Sequence, residues 1–196
     1  MDKRKLHLLF GGVKKTTVLI NTVEDTRVRT TAATTNYSAA TTFLVRRTVN
    51  NGIIKYDLSS IPAAAKIISA KMILTVTGSQ DATISAYSIK SANSDMVFAQ
   101  MTYNEKKTGT EWAGGALGCG VSGTDYDAVA VGSIALLSAT TVPYSAEIEL
   151  SPAIIQSYLV NNYGFLMLSS YDGGDVTFSS AQGDAGLVPK IEVIYK

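Results

Sequence analysis

One cysteine and one histidine in 196 residues remove several classes of chemistry at once. Cys119, set between Gly118 and Gly120, has no partner for an internal disulfide, and with His7 alone it makes no zinc cluster. Charge is scarce as well: charged residues are 17% of the chain, below the roughly 25% of an ordinary soluble domain. A net charge of +1 gives no field to draw phosphate backbones or anionic lipid, so neither nucleic acid nor membrane is an expected partner. No apolar run approaches the roughly 18 residues of a membrane span. Leu6 to Phe10, interrupted by His7, is too short for the core of a signal peptide, and the expectation is a chain without a secretion signal. Catalytic signatures are missing too. No nucleophile is spaced near His7, Cys119 has no partner base, and no GxSxG, HExxH or phosphate-loop pattern occurs, so the chain is not expected to be an enzyme.

What the chain does have is β-sheet material. Threonine, serine, alanine and glycine are abundant, and the length suffices for one domain that buries about 70 to 75% of its unfolded surface. The stretch Gly52 to Val76 carries two alternating apolar sets, Ile54, Tyr56, Leu58 and Met72, Leu74, Val76, separated by the turn Ser59 to Pro62. That period of two predicts two half-buried central strands. Further strands are expected over Thr16 to Val23, Thr26 to Thr31, Phe43 to Val45, Ala82 to Ile89, Val129 to Leu137, Tyr144 to Leu150, Tyr163 to Ser169, Val176 to Ser180 and Val188 to Tyr195. Asn50, Asn51, Gly52 and Asp172, Gly173, Gly174 read as hairpin turns. Ser151 and Pro152, an N-cap followed by a first-turn proline, open the one expected helix, which should end near Asn161. Many short strands with one helix predict an all-β, antiparallel sandwich of jelly-roll type over 16–196, preceded by an arm over 1–15.

Ala99 to Asp127 breaks this regularity. It is rich in glycine, lacks periodicity and holds the only tryptophan; a loop of that length in a compact domain is functional or disordered. Two readings stand side by side. In one, Trp112, Tyr103 and Tyr126 are packing groups of a flap that covers the sandwich edge. In the other they form a carbohydrate platform, their rings stacking on sugar C–H faces while Asn104, Glu105, Asp125 and Asp127 accept hydrogen bonds from hydroxyls. Glu105, Glu111, Asp125 and Asp127 also supply the two carboxyl groups that glycoside cleavage needs, but loop acids are ordinarily just solvated.

The order of short motifs carries a resemblance. DTRVRT from Asp25, NYSAATTFLVRR from Asn36, IIKYDLSSIP with SAKMILTV, then MTYNEKKTGTEW, GTDYD, a Ser-Pro helix, NNYGFLMLSS, VTFSS and LVPKIEVIY together resemble the DNRLRE family over Val23 to Lys196. The resemblance implies a jelly-roll sandwich related to carbohydrate-binding modules, of the kind found in bacterial surface proteins and phage structural proteins. One departure is plain: Ala181 and Gln182 stand where the family commonly shows Arg-Glu. Jelly-roll modules often hold one structural ion, so the resemblance makes Glu24, Asp25, Asp57, Asp125 and Asp127 calcium candidates beside their reading as solvated turn acids. The arm has no counterpart in the family. Its apolar Leu6, Leu8, Leu9 and Phe10, flanked by Lys3, Arg4, Lys5, Lys14 and Lys15, read as a docking element or a frayed tail. These features together predict a non-catalytic virion component of a tailed phage, a capsid decoration or fibre protein on the outer surface. It would self-associate, contact capsid or tail proteins and carry a capacity for glycan. The alternative is a carbohydrate-binding module of a bacterial surface or secreted protein.

Overall fold

The computed structural model describes residues 14–196. Leu6, Leu8, Leu9 and Phe10 lie outside the described residues. Twelve strands and one helix follow in chain order: β1 (Thr16–Arg29), β2 (Thr42–Val45), β3 (Asn50–Tyr56), β4 (Ile67–Gly78), β5 (Ala82–Ser88), β6 (Glu105–Lys107), β7 (Thr110–Glu111), β8 (Gly132–Leu136), β9 (Tyr144–Leu150), α1 (Pro152–Tyr158), β10 (Phe165–Ser169), β11 (Val176–Ser179) and β12 (Lys190–Tyr195). They build the expected antiparallel sandwich. One sheet runs β2-β11-β4-β12-β1 with β9 on the free side of β4; the other runs β1-β3-β10-β5-β8.

The alternating sets of the central stretch do what their period requires. Ile54, Tyr56 and Leu58 meet Met72, Leu74 and Val76 in one buried cluster between the sheets, joined by Phe43, Phe165 and Phe178. At roughly 25 cal/mol per Å² of apolar surface removed from water, this interior is the main source of stability. Phe43 stacks on Phe178 at 5.1 Å, which ties the edge strand β2 to β11.

Three expectations need correcting. The strands over 16–23 and 26–31 are one 14-residue strand. Thr16 to Asn21 pairs with β12, Thr22 to Arg29 pairs with β3, and a register shift between Thr22 and Glu24 marks where β1 passes from one sheet to the other. A bulge bends and twists a strand enough to make that corner. Asn50-Asn51-Gly52 is not a turn but the start of β3, because a Cβ on Gly52 would stand 3.0 Å from Val45 Cγ2 and 3.1 Å from Phe43 Cδ2. Glycine is there for close packing, and the turn falls one step earlier, closed by Asn50 N–H to the Arg46 carbonyl at 2.9 Å. Asp172 to Gly174 likewise joins β10 and β11, which lie in different sheets, so it is a crossover and not a hairpin. The helix starts at Pro152 as expected, with no side-chain cap bond from Ser151, and ends at Tyr158.

The 99–127 segment is ordered. It folds over the outer face of the second sheet and, together with Phe98 just before it, builds a second core from Met101, Trp112, Cys119 and Tyr126 against Val28, Ile53 and Leu166. Its only regular structure is the small β6-β7 pair.

Candidate functional site

The flap is held by a buried carboxylate. Asp125 is fully buried; its Oδ1 accepts the Gly114 N–H at 2.8 Å and the Asn93 amide at 3.1 Å, and its Oδ2 accepts the Val121 N–H at 2.9 Å. Charge-assisted hydrogen bonds are the strong ones, so this side chain fixes the glycine-rich stretch 112–121 on the sheet. With its oxygens spent on N–H donors, Asp125 has the surroundings of a structural acceptor and not of a cation ligand.

The sequence-predicted aromatics separate at this point. Trp112 is 2% exposed and its indole N–H donates to the Thr102 carbonyl at 3.1 Å. Tyr126 is buried edge-on against Tyr87, with ring centroids 5.0 Å apart. Neither leaves a free face for a sugar, because covering the sheet required their apolar area. Tyr103 is different: it is half-buried and lines a groove of about 300 Å³ together with Arg47, Thr48, Asn51, Leu117 and Ser169. Asn104 is half-buried, is not part of this groove, and bonds through its backbone N–H to the Ala33 carbonyl at 3.1 Å.

The groove lies between the flap and the β2-β3 turn, and the backbone around it is special. Among the described residues, two non-glycine positions have positive φ, Thr48 at 59° and Cys119 at 58°. Thr48 lines the groove, and Cys119 sits beside Gly120, which also lines it. A β-branched residue in the left-handed region is a true outlier, and such strain clusters where function holds the backbone in place. Cys119 itself is inert: burial pushes its thiol up, away from the thiolate. Gly118 is required because a Cβ there would lie 2.5 Å from Cδ2 of the Tyr103 ring. The Asn51 amide donates to the Gly118 carbonyl at 2.9 Å and ties the turn to the flap.

Several groove groups are unspent. Among the described residues, the Arg47 guanidinium and the Tyr103 hydroxyl make no hydrogen bond, and no ion pair includes an arginine. The remaining described arginines, Arg27, Arg29 and Arg46, belong to the same strand β1 or the same turn. Arg27 stacks on Tyr37 at 4.1 Å, and Arg46 Nε donates to the Asp172 carbonyl at 2.7 Å.

A larger cleft lies elsewhere. About 650 Å³ in volume, it is lined by Glu24, Lys55, Asp57, Leu58, Pro62 and Asn162. Its aromatic neighbours Tyr56 and Tyr158 are both buried, so it offers no ring face. The calcium candidates do not converge. Asp57 caps its own turn by accepting the Ser59 N–H at 2.9 Å, which holds its carboxyl below the usual range. Glu24 is exposed, Asp127 is half-buried, and among the described residues no three Asp, Glu, His or Cys groups come together as a metal site. Asp25 is buried with one donor, the Ala181 N–H at 2.6 Å, and burial raises its carboxyl to about 7. Glu105 and Glu111 are cross-strand partners of β6 and β7, outside the groove.

Sequence reasoning missed Arg47, Thr48, Asn51, Leu117 and Ser169. They come from three separate segments with no shared spacing, and the one local signal, Arg46-Arg47 ahead of Asn-Asn-Gly, points to a turn and not to a ligand.

No curated protein matches the chain closely enough to count as a relative. The model of carbohydrate-binding module family 96 matches residues 16–133, which include β1, the Arg47-Asn51 turn and the whole flap. This supports the carbohydrate-binding side of the expected resemblance, though not the DNRLRE designation, and it favours the module over the virion component. The match spans more than half of the chain, which therefore belongs to carbohydrate-binding module family 96.

Proposed function

We propose that the chain is a non-catalytic glycan-binding module whose ligand lies in the groove between the flap and the β2-β3 turn. The observation that carries the proposal is the coincidence of the strained Thr48, a half-exposed Tyr103 and an unpaired Arg47 around one concavity. Tyr103 supplies the ring for a sugar C–H face. Asn51, Ser169 and the Tyr103 hydroxyl supply directional polar contacts. Arg47 presents a planar fork of donors suited to a carboxylate or sulfate, so an acidic sugar is preferred over a neutral one. The groove is at the small end of ligand sites, which run from about 300 Å³ upward, and fits one or two sugar units and not a buried polymer. An extracellular or cell-surface setting goes with this role. The virion reading rests on the arm, whose apolar residues lie outside the described residues, and capsid partners and self-association gain no support from the family assignment.

Affinity electrophoresis against a neutral β-glucan and a uronate-rich polysaccharide tests the proposal. Tyr103→Ala should weaken binding roughly tenfold, equivalent to about 1.4 kcal/mol, and Arg47→Ala should remove the preference for the acidic polymer. If both variants migrate like the parent on a polymer that the parent binds, the groove is not the site.

A further inference from the structure

A second concavity, of about 230 Å³, opens where β1 changes sheets, lined by Val23, Glu24, Asp25, Ser38, Phe98 and Gln182. None of these residues lines the groove. Asp25 is 2% exposed, and the one hydrogen bond its carboxylate receives among the described residues is from Ala181 N–H. No basic side chain lines the cleft. The Arg27 guanidinium, two residues along β1, bonds the Thr42 carbonyl through Nη1 at 3.2 Å and stacks on the Tyr37 ring, while its Nε is buried without a partner; none of its atoms bonds Asp25. Behind Asp25 the Tyr56 hydroxyl is completely buried and has no partner, and Asp25 is the charged group that acts on it. The hydroxyl does not reach the cleft, but Asp25 does, and a carboxylate this buried with one hydrogen bond and no counter-charge is costly unless something from outside completes it.

We propose that this cleft binds a primary ammonium group, carried by an amino sugar with a free amine. An ammonium group has three donors and no acceptor. The cleft offers Asp25 Oδ1, the Glu24 carboxylate and the Ser38 hydroxyl as acceptors, while Val23 and Phe98 give an apolar wall for the carbon skeleton. Calcium is a poorer match, since it takes six to eight oxygens and among the described residues no three acidic, histidine or cysteine side chains come together here. A neutral hydroxyl would leave the carboxylate without a counter-charge. The choice of a sugar as the amine's carrier rests on the glycan-binding reading; the ammonium site itself does not.

The test follows the Ala181 amide resonance, whose proton bonds Asp25, during titration with methylammonium, glucosamine, N-acetylglucosamine, glucose and calcium chloride. Methylammonium and glucosamine should shift it saturably, glucosamine more tightly, and the other three should leave it in place. Asp25→Asn should abolish the response. So should Gln182→Arg, at an exposed residue that lines the same cleft, where a guanidinium would compete for the carboxylate. Methylammonium binding without any gain from the sugar would overturn the amino-sugar assignment and keep the site. A shift with N-acetylglucosamine equal to that with glucosamine, a shift with calcium alone, no shift at all, or an undiminished response in either variant would overturn the ammonium site. Polysaccharide binding through Tyr103 is read separately and stands or falls independently.

Discussion

Replacing Asp25 by asparagine should make the protein more stable at neutral pH and flatten the dependence of its stability on pH. Burial raises the Asp25 carboxyl from the ordinary carboxylate range to about 7, and the Ala181 N–H, which favours the charged form, only partly opposes this. In the unfolded chain the same group titrates near 3.9. Between about pH 4 and 7 the folded state therefore holds a proton that the unfolded state has released, so stability falls as pH rises through that window. The stability is fully present below about pH 4 and lost above about pH 7. The interval of roughly three pH units corresponds to a ceiling of about 4 kcal/mol. The groups around Asp25 do not cancel it: Tyr56 is a neutral hydroxyl, Glu24 is another acid, and Arg27 is held by Tyr37 and Thr42. Asparagine keeps an acceptor for the Ala181 N–H and carries no charge. At pH 8, Asp25→Asn should therefore gain about 2–4 kcal/mol, or roughly 5–15 °C in melting temperature for a domain of this size. Urea unfolding at pH 4, 6 and 8 for both proteins is the assay. Parallel pH profiles, or a variant less stable at pH 8, would refute the reasoning.

Other outcomes follow from the same interior. Leu74→Ala, at a fully buried position of the central strand, should lose about 2–5 kcal/mol in urea unfolding. Trp112 should emit at short wavelength, resist iodide and stay unchanged on glycan binding, since it is covered by the flap. Asp125→Ala strands three donors and should cost about 2–4 kcal/mol, red-shift that emission and weaken polysaccharide binding together. Thr48→Asn should stabilise the fold by about 1 kcal/mol, because asparagine tolerates the left-handed backbone better than a β-branched residue.

The sandwich was legible wherever burial is one-sided. Tyr56, Leu58, Met72 and Leu74 alternate because one face of each strand meets the core and the other does not, and that constraint writes itself into a period of two. Sheet membership was not legible, since nothing local in Thr22, Val23, Glu24 states that the strand leaves one partner for another; the bulge exists because Pro189 and Lys55 receive it from different sheets. Gly52 misled because a glycine that admits a neighbouring side chain looks the same in sequence as one that admits a turn. In the flap, aromatic content was visible but orientation was not. Trp112 and Tyr103 are equivalent signals in a chain of letters, and only the position of the second sheet beneath them decides which is covered.

Two separate cores divide the work of this fold. The inter-sheet cluster closes without any residue of the 99–127 segment, while the second cluster exists only because that segment lies on the sheet. The flap is thus anchored by its own buried carboxylate and by an apolar set that packs on Val28, Ile53 and Leu166 of the sheet beneath it. The strained residues fall at the seam: Thr48 on the sandwich side and Cys119 on the flap side, bridged by the Asn51 amide. Strain at a seam persists only if packing on both sides over-determines it. The second core holds Tyr103, and the Asn51 amide ties the turn that carries Arg47 and Thr48 to the flap, so a ligand bound as proposed would meet a surface already arranged for it, with little ordering cost left to offset.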